Sequence, residues 1–309
     1  MRTFEDFAPG ATFAYGGELV TREAIFDFAR RYDPQPMHLD EEAAKTSLLG
    51  GLAASGLHTN SLLSRMTAQH LLADTACLGI AGIKEFRWFR PVRPDETLSV
   101  KAEVLDARAS RSRPEMGLVT FRFDVSADAG DRVLTLDGTL MFARREPGNA
   151  AVPSQTAPFI LPPERYRVGR FTFTEENIVA YAREFDPKPF HIDRAVAERS
   201  HFGGLVASGW HIACVNVAVA LATGSEPERK YHPKRSSGRR GPSPGWRDVR
   251  WWKPVRPGEA IDFYRFEAGY RGAASRPGWG VLDLGSTAEN ERGEVVFSAL
   301  SALFVQHAS

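Results

Sequence analysis

Apolar positions along this chain change their period in a fixed order, and the order occurs twice. Thr21–Tyr32 (TREAIFDFARRY) sets Ile25, Phe28 and Ala29 at helical spacing behind a Thr with N-cap chemistry, and Thr174–Phe185 does the same with Ile178 and Tyr181. Both patterns predict a short amphipathic helix. Each stops at an Asp-Pro pair, Asp33-Pro34 or Asp186-Pro187, because the residue before a proline is pushed out of the αR region. A proline-rich turn and a Gly-Gly pair follow, and then an apolar run, Leu57–Met66 or Trp210–Ala222. The second run is apolar on nearly every face, which predicts a buried central helix. Beyond it the period drops to two. Leu98, Val100, Ala102 and Val104 alternate with polar residues, as do Val119, Phe121, Phe123 and Val125, while Val133–Phe142 and Val295–Val305 close the two halves. A buried helix followed by antiparallel strands predicts an α+β layout in which a sheet wraps around the helix.

The recurrence reaches individual residues. Residues 32–58 (YDPQPMHLDEEAAKTSLLGGLAASGLH) align without a gap on residues 185–211 (FDPKPFHIDRAVAERSHFGGLVASGWH), at an offset of 153. Residues 86–94 (FRWFRPVRP) return as 249–257 (VRWWKPVRP) at an offset of 163, so the second half has gained ten residues in between. A period this long marks a duplicated domain and not a solenoid unit. The matching residues are largely polar and ionisable, which a shared core alone does not require. The extra residues fall in Gly224–Gly245, rich in Pro, Gly, Ser and Arg, which predicts a long loop. Glu146–Pro163 carries five prolines and little periodicity, so it is expected to link two domains, 1–148 and 164–309.

Composition narrows the setting. A formal charge of +1 predicts no general attraction to nucleic acid or to a membrane surface. Cys77 and Cys214 lie in different halves without metal-type spacing, so neither a disulfide framework nor a metal site is expected. The first residues hold no apolar signal core, and His211 and Asn216 interrupt the longest apolar stretch, which is too short to span a bilayer. The expectation is a soluble, cytoplasmic protein.

Together, D-x-x-P-x-H-x-D, G-G-[LV]-x-A-S-G-[LW]-H and R-W-[FW]-[RK]-P-V-R-P, each present twice and in the same order, resemble the MaoC-like dehydratase and (R)-specific enoyl-CoA hydratase family. The resemblance covers nearly all of both halves. It implies two tandem hotdog domains, each an antiparallel sheet wrapped around a central helix, forming an intrachain pseudo-dimer. It further implies an Asp and a His five residues apart that hold a water for addition to a 2-enoyl thioester, here Asp33 with His38 and Asp186 with His191. No metal or redox cofactor is implied, coenzyme A entering as part of the acyl-CoA substrate within fatty acid metabolism. A homodimer of pseudo-dimers is also compatible with it. The family's hydratase pattern has Asn two residues after the Asp, where this chain has Gln35 and Lys188, and Lys188 is placed to pair with Asp186 and lower its pKa. Where a His often precedes the following glycine, this chain has Ser55 and Ser208.

Residue chemistry leads the same way. Hydration of a conjugated thioester needs a base for water, an acid for C2 and a donor for the enolate-like oxygen. Histidine serves proton transfer and a carboxylate orients its partner. Gly56 and Gly209, with Ser55 and Ser208 beside them, are expected at the N-terminus of the central helix as the oxyanion and substrate-binding residues. A free N–H there can hold the thioester oxygen, a donor worth about 3–4 kcal/mol of barrier, and glycine leaves room for that oxygen to approach. Asp40 and Asp193 read as helix caps, and His58 and His211 as structural. Trp88, Trp251 and Trp252 read as strand residues at the domain interface, with Arg87 and Arg250 near its rim. Arg229, Lys230, Lys234, Arg235, Arg239 and Arg240 form either a solvated loop or a clamp on the phosphates of coenzyme A. Three functions stay open: a hydro-lyase, a thioesterase using the same water at C1, and a non-catalytic acyl-CoA binding protein. If only one half works, the second is the better match to the family pattern.

Overall fold

The computed structural model describes residues 1–128, 130–146, 160–223, 241–273 and 277–306. The middle of the expected linker, most of the expected long loop and the six basic residues from Arg229 to Arg240 lie outside these. In the first half the order is β1 (Thr12–Val20), α1 (Arg22–Tyr32), α2 (Pro36–Leu39), α3 (Glu41–Thr46), α4 (Gly56–Met66), β2 (Cys77–Trp88), β3 (Glu96–Ala109), β4 (Met116–Ala127) and β5 (Asp131–Ala143). The second half repeats it with β6 (Tyr166–Phe173), α5 (Glu175–Phe185), α6 (Pro189–Ile192), α7 (Arg194–Arg199), α8 (Gly209–Ala222), β7 (Gly245–Trp251), β8 (Glu259–Gly272), β9 (Trp279–Glu289) and β10 (Val295–Gln306). No helix among the described residues is long and apolar enough to cross a membrane.

The local reasons are those the sequence gives. Thr21 and Thr174 cap α1 and α5, accepting from the Ala24 and Asn177 amides at 3.1 and 3.2 Å. The periodic positions Ile25, Phe28, Ile178 and Tyr181 are all fully buried. Strands β1 and β6, which precede the helices, were not expected. Gly16-Gly17 and Gly169 interrupt their alternation, and each strand shifts register there. The backbone of β3 approaches Gly16 so closely that a Cβ would collide with Ser99.

Antiparallel pairing joins all ten strands into one sheet, in the order β1-β3-β4-β5-β2-β7-β10-β9-β8-β6. That order is a palindrome about β2 and β7, where Ile83 faces Val249 and Arg87 faces Gly245. The sheet holds α4 and α8 within one continuous core that runs through both halves. The short helices cross over: α1 packs on α8 and α5 on α4. Polar contacts tie this crossing, with Tyr181 and Ser61 hydroxyls 2.9 Å apart and Arg31 forked onto Glu184 at 2.6 and 2.8 Å. The duplicated halves therefore stabilise one another as two subunits of a dimer would.

Gly245 opens β7 at φ +152°, and a Cβ there would run into the Phe86 carbonyl and approach Arg87 Cα at 3.1 Å. Gly245→Ala should cost about 2 kcal/mol in denaturant unfolding by forcing the seam apart. Gly272→Ala, with nothing within 4 Å, should change stability by less than about 0.5 kcal/mol. Equal effects would show that the seam tolerates expansion.

Candidate active site

In the second half the Asp-Pro break positions the chemistry. Asp186 is the C-cap of α5 (φ −147°, ψ 65°), its amide still bonded to the Ala182 carbonyl at 2.9 Å. Pro187 prevents another turn, and Pro189 starts the single turn of α6 that carries His191 back toward Asp186. The His191 Nδ1 lies 2.8 Å from the Val206 carbonyl, which can only accept, so Nδ1 carries the proton. Nε2 is left with its lone pair, 3.5 Å from Asp186 Oδ2. Ser208 Oγ donates to that same Oδ2 at 2.7 Å, while Oδ1 pairs with the Lys188 ammonium.

Burial alone would raise the Asp186 carboxyl, but Lys188, His191 and the Ser208 hydroxyl outweigh it and hold the group below the ordinary carboxylate range. His191 goes the other way from a free imidazole. Burial pulls it down to about 4 against the attraction of Asp186, so it is a neutral base at neutral pH and not a half-protonated one. An ionised carboxylate and a neutral imidazole thus stand side by side.

The first half builds the same group. Asp33 caps α1 at φ −148°, ψ 64°, and accepts from Ser55 Oγ at 2.5 Å and from Gln35 Nε2 at 2.7 Å. His38 Nδ1 sits 2.9 Å from the Ala53 carbonyl, leaving Nε2 3.7 Å from Asp33 Oδ2. The one change of charge is the neutral Gln35 where the second half has Lys188.

Ser55 and Ser208 have a role that the sequence reading did not give them. Each hydroxyl donates to the Asp and accepts from the amide two residues on, Leu57 or Trp210, both at 3.2 Å, as the N-cap of α4 or α8. The single hydroxyl proton of each serine is thereby committed to the Asp. Gly56 and Gly209 are the first helical residues, whose amides have no partner within the helix. Their lack of a side chain has a packing cause beyond access to a carbonyl. A Cβ on Gly56 would lie 2.5 Å from the Trp88 ring, and one on Gly209 equally close to the Trp251 ring. Trp251 Nε1 donates to the Gly209 carbonyl at 2.8 Å, and Trp88 Nε1 to Asn60 Oδ1 at 3.0 Å. The two tryptophans line the sites themselves, a function that their place at the ends of β2 and β7 did not reveal.

A cavity opens beside each group. That of the second half, about 420 Å³, is lined by Asp186, His191, Gly209 and Trp251 and closed by α4, β4 and β5 of the first half. That of the first, about 360 Å³, holds Asp33, His38, Gly56 and Trp88 and is closed by α8, β8, β9 and β10 of the second. Leu221 and Gly241 both line this first-half cavity. His58 and His211 are buried in ring stacks on Phe28 and Tyr181, each at 4.6 Å, and Asp40 and Asp193 cap α3 and α7.

Burial pulls His58 and His211 down to about 3, beside His191 at about 4, all from an ordinary 6.5. Above 6.5 neither folded nor unfolded chain protonates them. Below it only the unfolded chain does, so stability should fall steadily from neutrality toward pH ~4. Urea midpoints across that range check this. His211→Phe should reduce the proton uptake on unfolding by about one, and a flat profile would contradict the buried neutral histidines.

The MaoC-like domain model matches residues 7–122 and again 162–274. YdeM of Bacillus subtilis is 29% identical over 116 residues, 38% of this chain and 81% of its own. A MaoC domain dehydratase of Chloroflexus aurantiacus superposes with a TM-score of 0.79 at 15% identity, covering 100% of this chain and 98% of that one. A conserved Mycobacterium tuberculosis protein with a double hotdog fold gives 0.71 at 16%, over 99% and 98%. Both halves match the same model within one double hotdog, and the chain belongs to the MaoC-like dehydratase family.

Proposed function

We propose that the chain is a hydro-lyase that adds water across the double bond of a 2-enoyl-CoA and, in reverse, dehydrates a (R)-3-hydroxyacyl-CoA. The observation that carries this reading is the pairing, in each half, of a buried carboxylate with an imidazole Nε2 beside a helix N-terminus, at an inter-half cavity. In the second site Asp186 accepts one hydrogen of a water and the neutral His191 Nε2 removes the other as the oxygen bonds to C3. The π electrons move to the thioester oxygen, which the Gly209 amide and the dipole of α8 stabilise. As the enolate collapses, the imidazolium returns its proton to C2, so addition is on one face. Lys188 keeps Asp186 ionised throughout. Asp33, His38 and Gly56 fill the same parts in the first site. Trp251 and Trp88 wall the glycine and keep bulk water from the forming oxyanion.

The test is the ultraviolet absorbance of the conjugated thioester over a panel of 2-enoyl-CoAs, with a thiol reagent reporting free coenzyme A. Loss of absorbance without thiol release is expected. Asp33→Asn and Asp186→Asn should each silence one site, and the double variant should fall by about 10²–10⁴-fold. Thiol release would move the reaction to C1 and overturn the proposal, as would unaltered turnover in the double variant.

Lys188 also gives a pH signature. Its charge disfavours protonation of both Asp186 and His191. In an Asp33→Asn background, Lys188→Gln should therefore move the acid limb of kcat/KM to higher pH. A limb that stays in place would show that Lys188 does not tune the pair.

A further inference from the structure

The repeated P-V-R-P motif, Pro91–Pro94 and Pro254–Pro257, has no part in the reaction as written above. Its valines, Val92 and Val255, are buried, and their carbonyls accept from the Ala54 and Ala207 amides at 2.9 and 2.8 Å. Each pairing holds the segment between the Gly-Gly pair and the serine, 50–55 or 203–208, which is neither helix nor strand. The arginine after each valine holds the same stretch from its other end. Arg93 Nη1 donates to the Gly51 and Leu52 carbonyls at 2.7 and 3.0 Å, and its Nη2 donates to that of Leu49. Arg256 Nη2 donates to the Phe202 carbonyl at 2.5 Å, and its Nη1 lies 2.9 Å from where a Cβ on Gly204 would stand. Farther along the same segments come the Ala53 and Val206 carbonyls, the ones that face His38 and His191 Nδ1.

Those carbonyls have a competitor. A neutral imidazole carries one proton, and each ring has an acceptor beside each nitrogen. The Ala53 carbonyl is 2.9 Å from His38 Nδ1, while Asp33 Oδ2 is 3.7 Å from Nε2; the second half has 2.8 and 3.5 Å. A carboxylate is the stronger acceptor of the two kinds, so the carbonyl prevails by being held closer. Were it to drift, the proton would pass to Nε2, and the lone pair that takes the hydrogen of water would be lost. We infer that Arg93 and Arg256 are positioning residues that fix the tautomer of His38 and His191, acting through the carbonyls of the Gly-Gly segment. A guanidinium suits the task because its planar fork presents several N–H groups at once. Among the described residues Arg93 binds three carbonyls, one of them adjacent to Ala53, whereas Arg256 binds one, four residues before Val206. The first half should therefore depend more on its arginine. The tautomer follows from this geometry alone, and only its effect on turnover rests on the hydro-lyase reading above.

Nitrogen NMR of the full chain with isotope-labelled histidine, above neutral pH, reads the tautomer directly, and His38→Gln and His191→Gln assign the two signals. Both rings should carry their proton on Nδ1 in the unaltered chain. Arg93→Met keeps the stem and removes every donor, so it should move His38 toward the Nε2–H form and leave His191 as it was. Arg256→Met should move His191 the same way but less. Arg93→Lys, a gentler change that retains an ammonium donor, should fall between and serves in place of Arg93→Met if that variant does not fold. In an Asp186→Asn background, which leaves the first site at work, Arg93→Met should lower kcat by about tenfold to a hundredfold with little change in KM. A His38 that keeps its proton on Nδ1, or an equal shift at both rings that would mark general loosening, would overturn the inference. Lost turnover with an unmoved tautomer would do the same while sparing the hydro-lyase reading. A tautomer that moves as expected in a chain that hydrates no enoyl-CoA would instead keep the positioning role and reject that reading.

Discussion

One hydrogen bond, made twice, sets the geometry of the whole site. A serine hydroxyl donates to a buried carboxylate and accepts from the first turn of the central helix, so Ser55 joins Asp33 to α4 and Ser208 joins Asp186 to α8. The link brings the break after one helix to the start of another. It fixes the carboxylate where it can face both an imidazole and the amide at the helix N-terminus. In the second half the Ser208 hydroxyl also helps, with Lys188 and His191, to hold the Asp186 carboxyl below its ordinary range against burial. Without it the Asp would lose a partner while buried and the helix would lose its cap, each a cost of about 1–2 kcal/mol.

The duplication has a mechanical consequence. Each half provides a complete polar group but only one side of a cavity, and the other side comes from the partner half's helix and strands. The palindromic sheet, joined through β2 and β7, holds these complementary pieces in register within one chain. Because the pieces are encoded separately, the two halves are free to diverge. Gln35 against Lys188 alters the charge beside the Asp–His pair, and Leu63, Phe123 and Leu136 stand where the second half has Asn216, Ser286 and Ala299.

Much of this was legible in the sequence, for identifiable reasons. Asp-Pro pairs stop helices on steric grounds alone, so the ends of α1 and α5 could be read directly. The apolar run after Ser208 could only be a buried helix. The gapless repeat of D-x-x-P-x-H brought the Asp and His together, because a single proline-started turn leaves them little freedom. Strands β1 and β6 were hidden since Gly16, Gly17 and Gly169 break the alternation that marks a strand. The Ser–Asp bond was hidden for another reason: its partners are 22 residues apart, and no local pattern joins a serine at a helix start to a carboxylate that ends another helix. The pressing of Trp88 and Trp251 onto Gly56 and Gly209 depends on how strand ends meet helix starts, which no local pattern encodes. The depressed His191 likewise follows from burial, not from composition.

If these paired groups deliver water to C3 of an enoyl thioester, the oxygen of that water stays in the product. The most direct measurement is the fate of heavy oxygen when the chain acts on a 2-enoyl-CoA in labelled water, located by mass spectrometry of the products. Label is expected in the 3-hydroxyl group of an intact coenzyme A thioester, and is expected to be absent when both Asp33 and Asp186 are replaced by Asn. Label in a free carboxylate would contradict it, because the water would then have attacked C1.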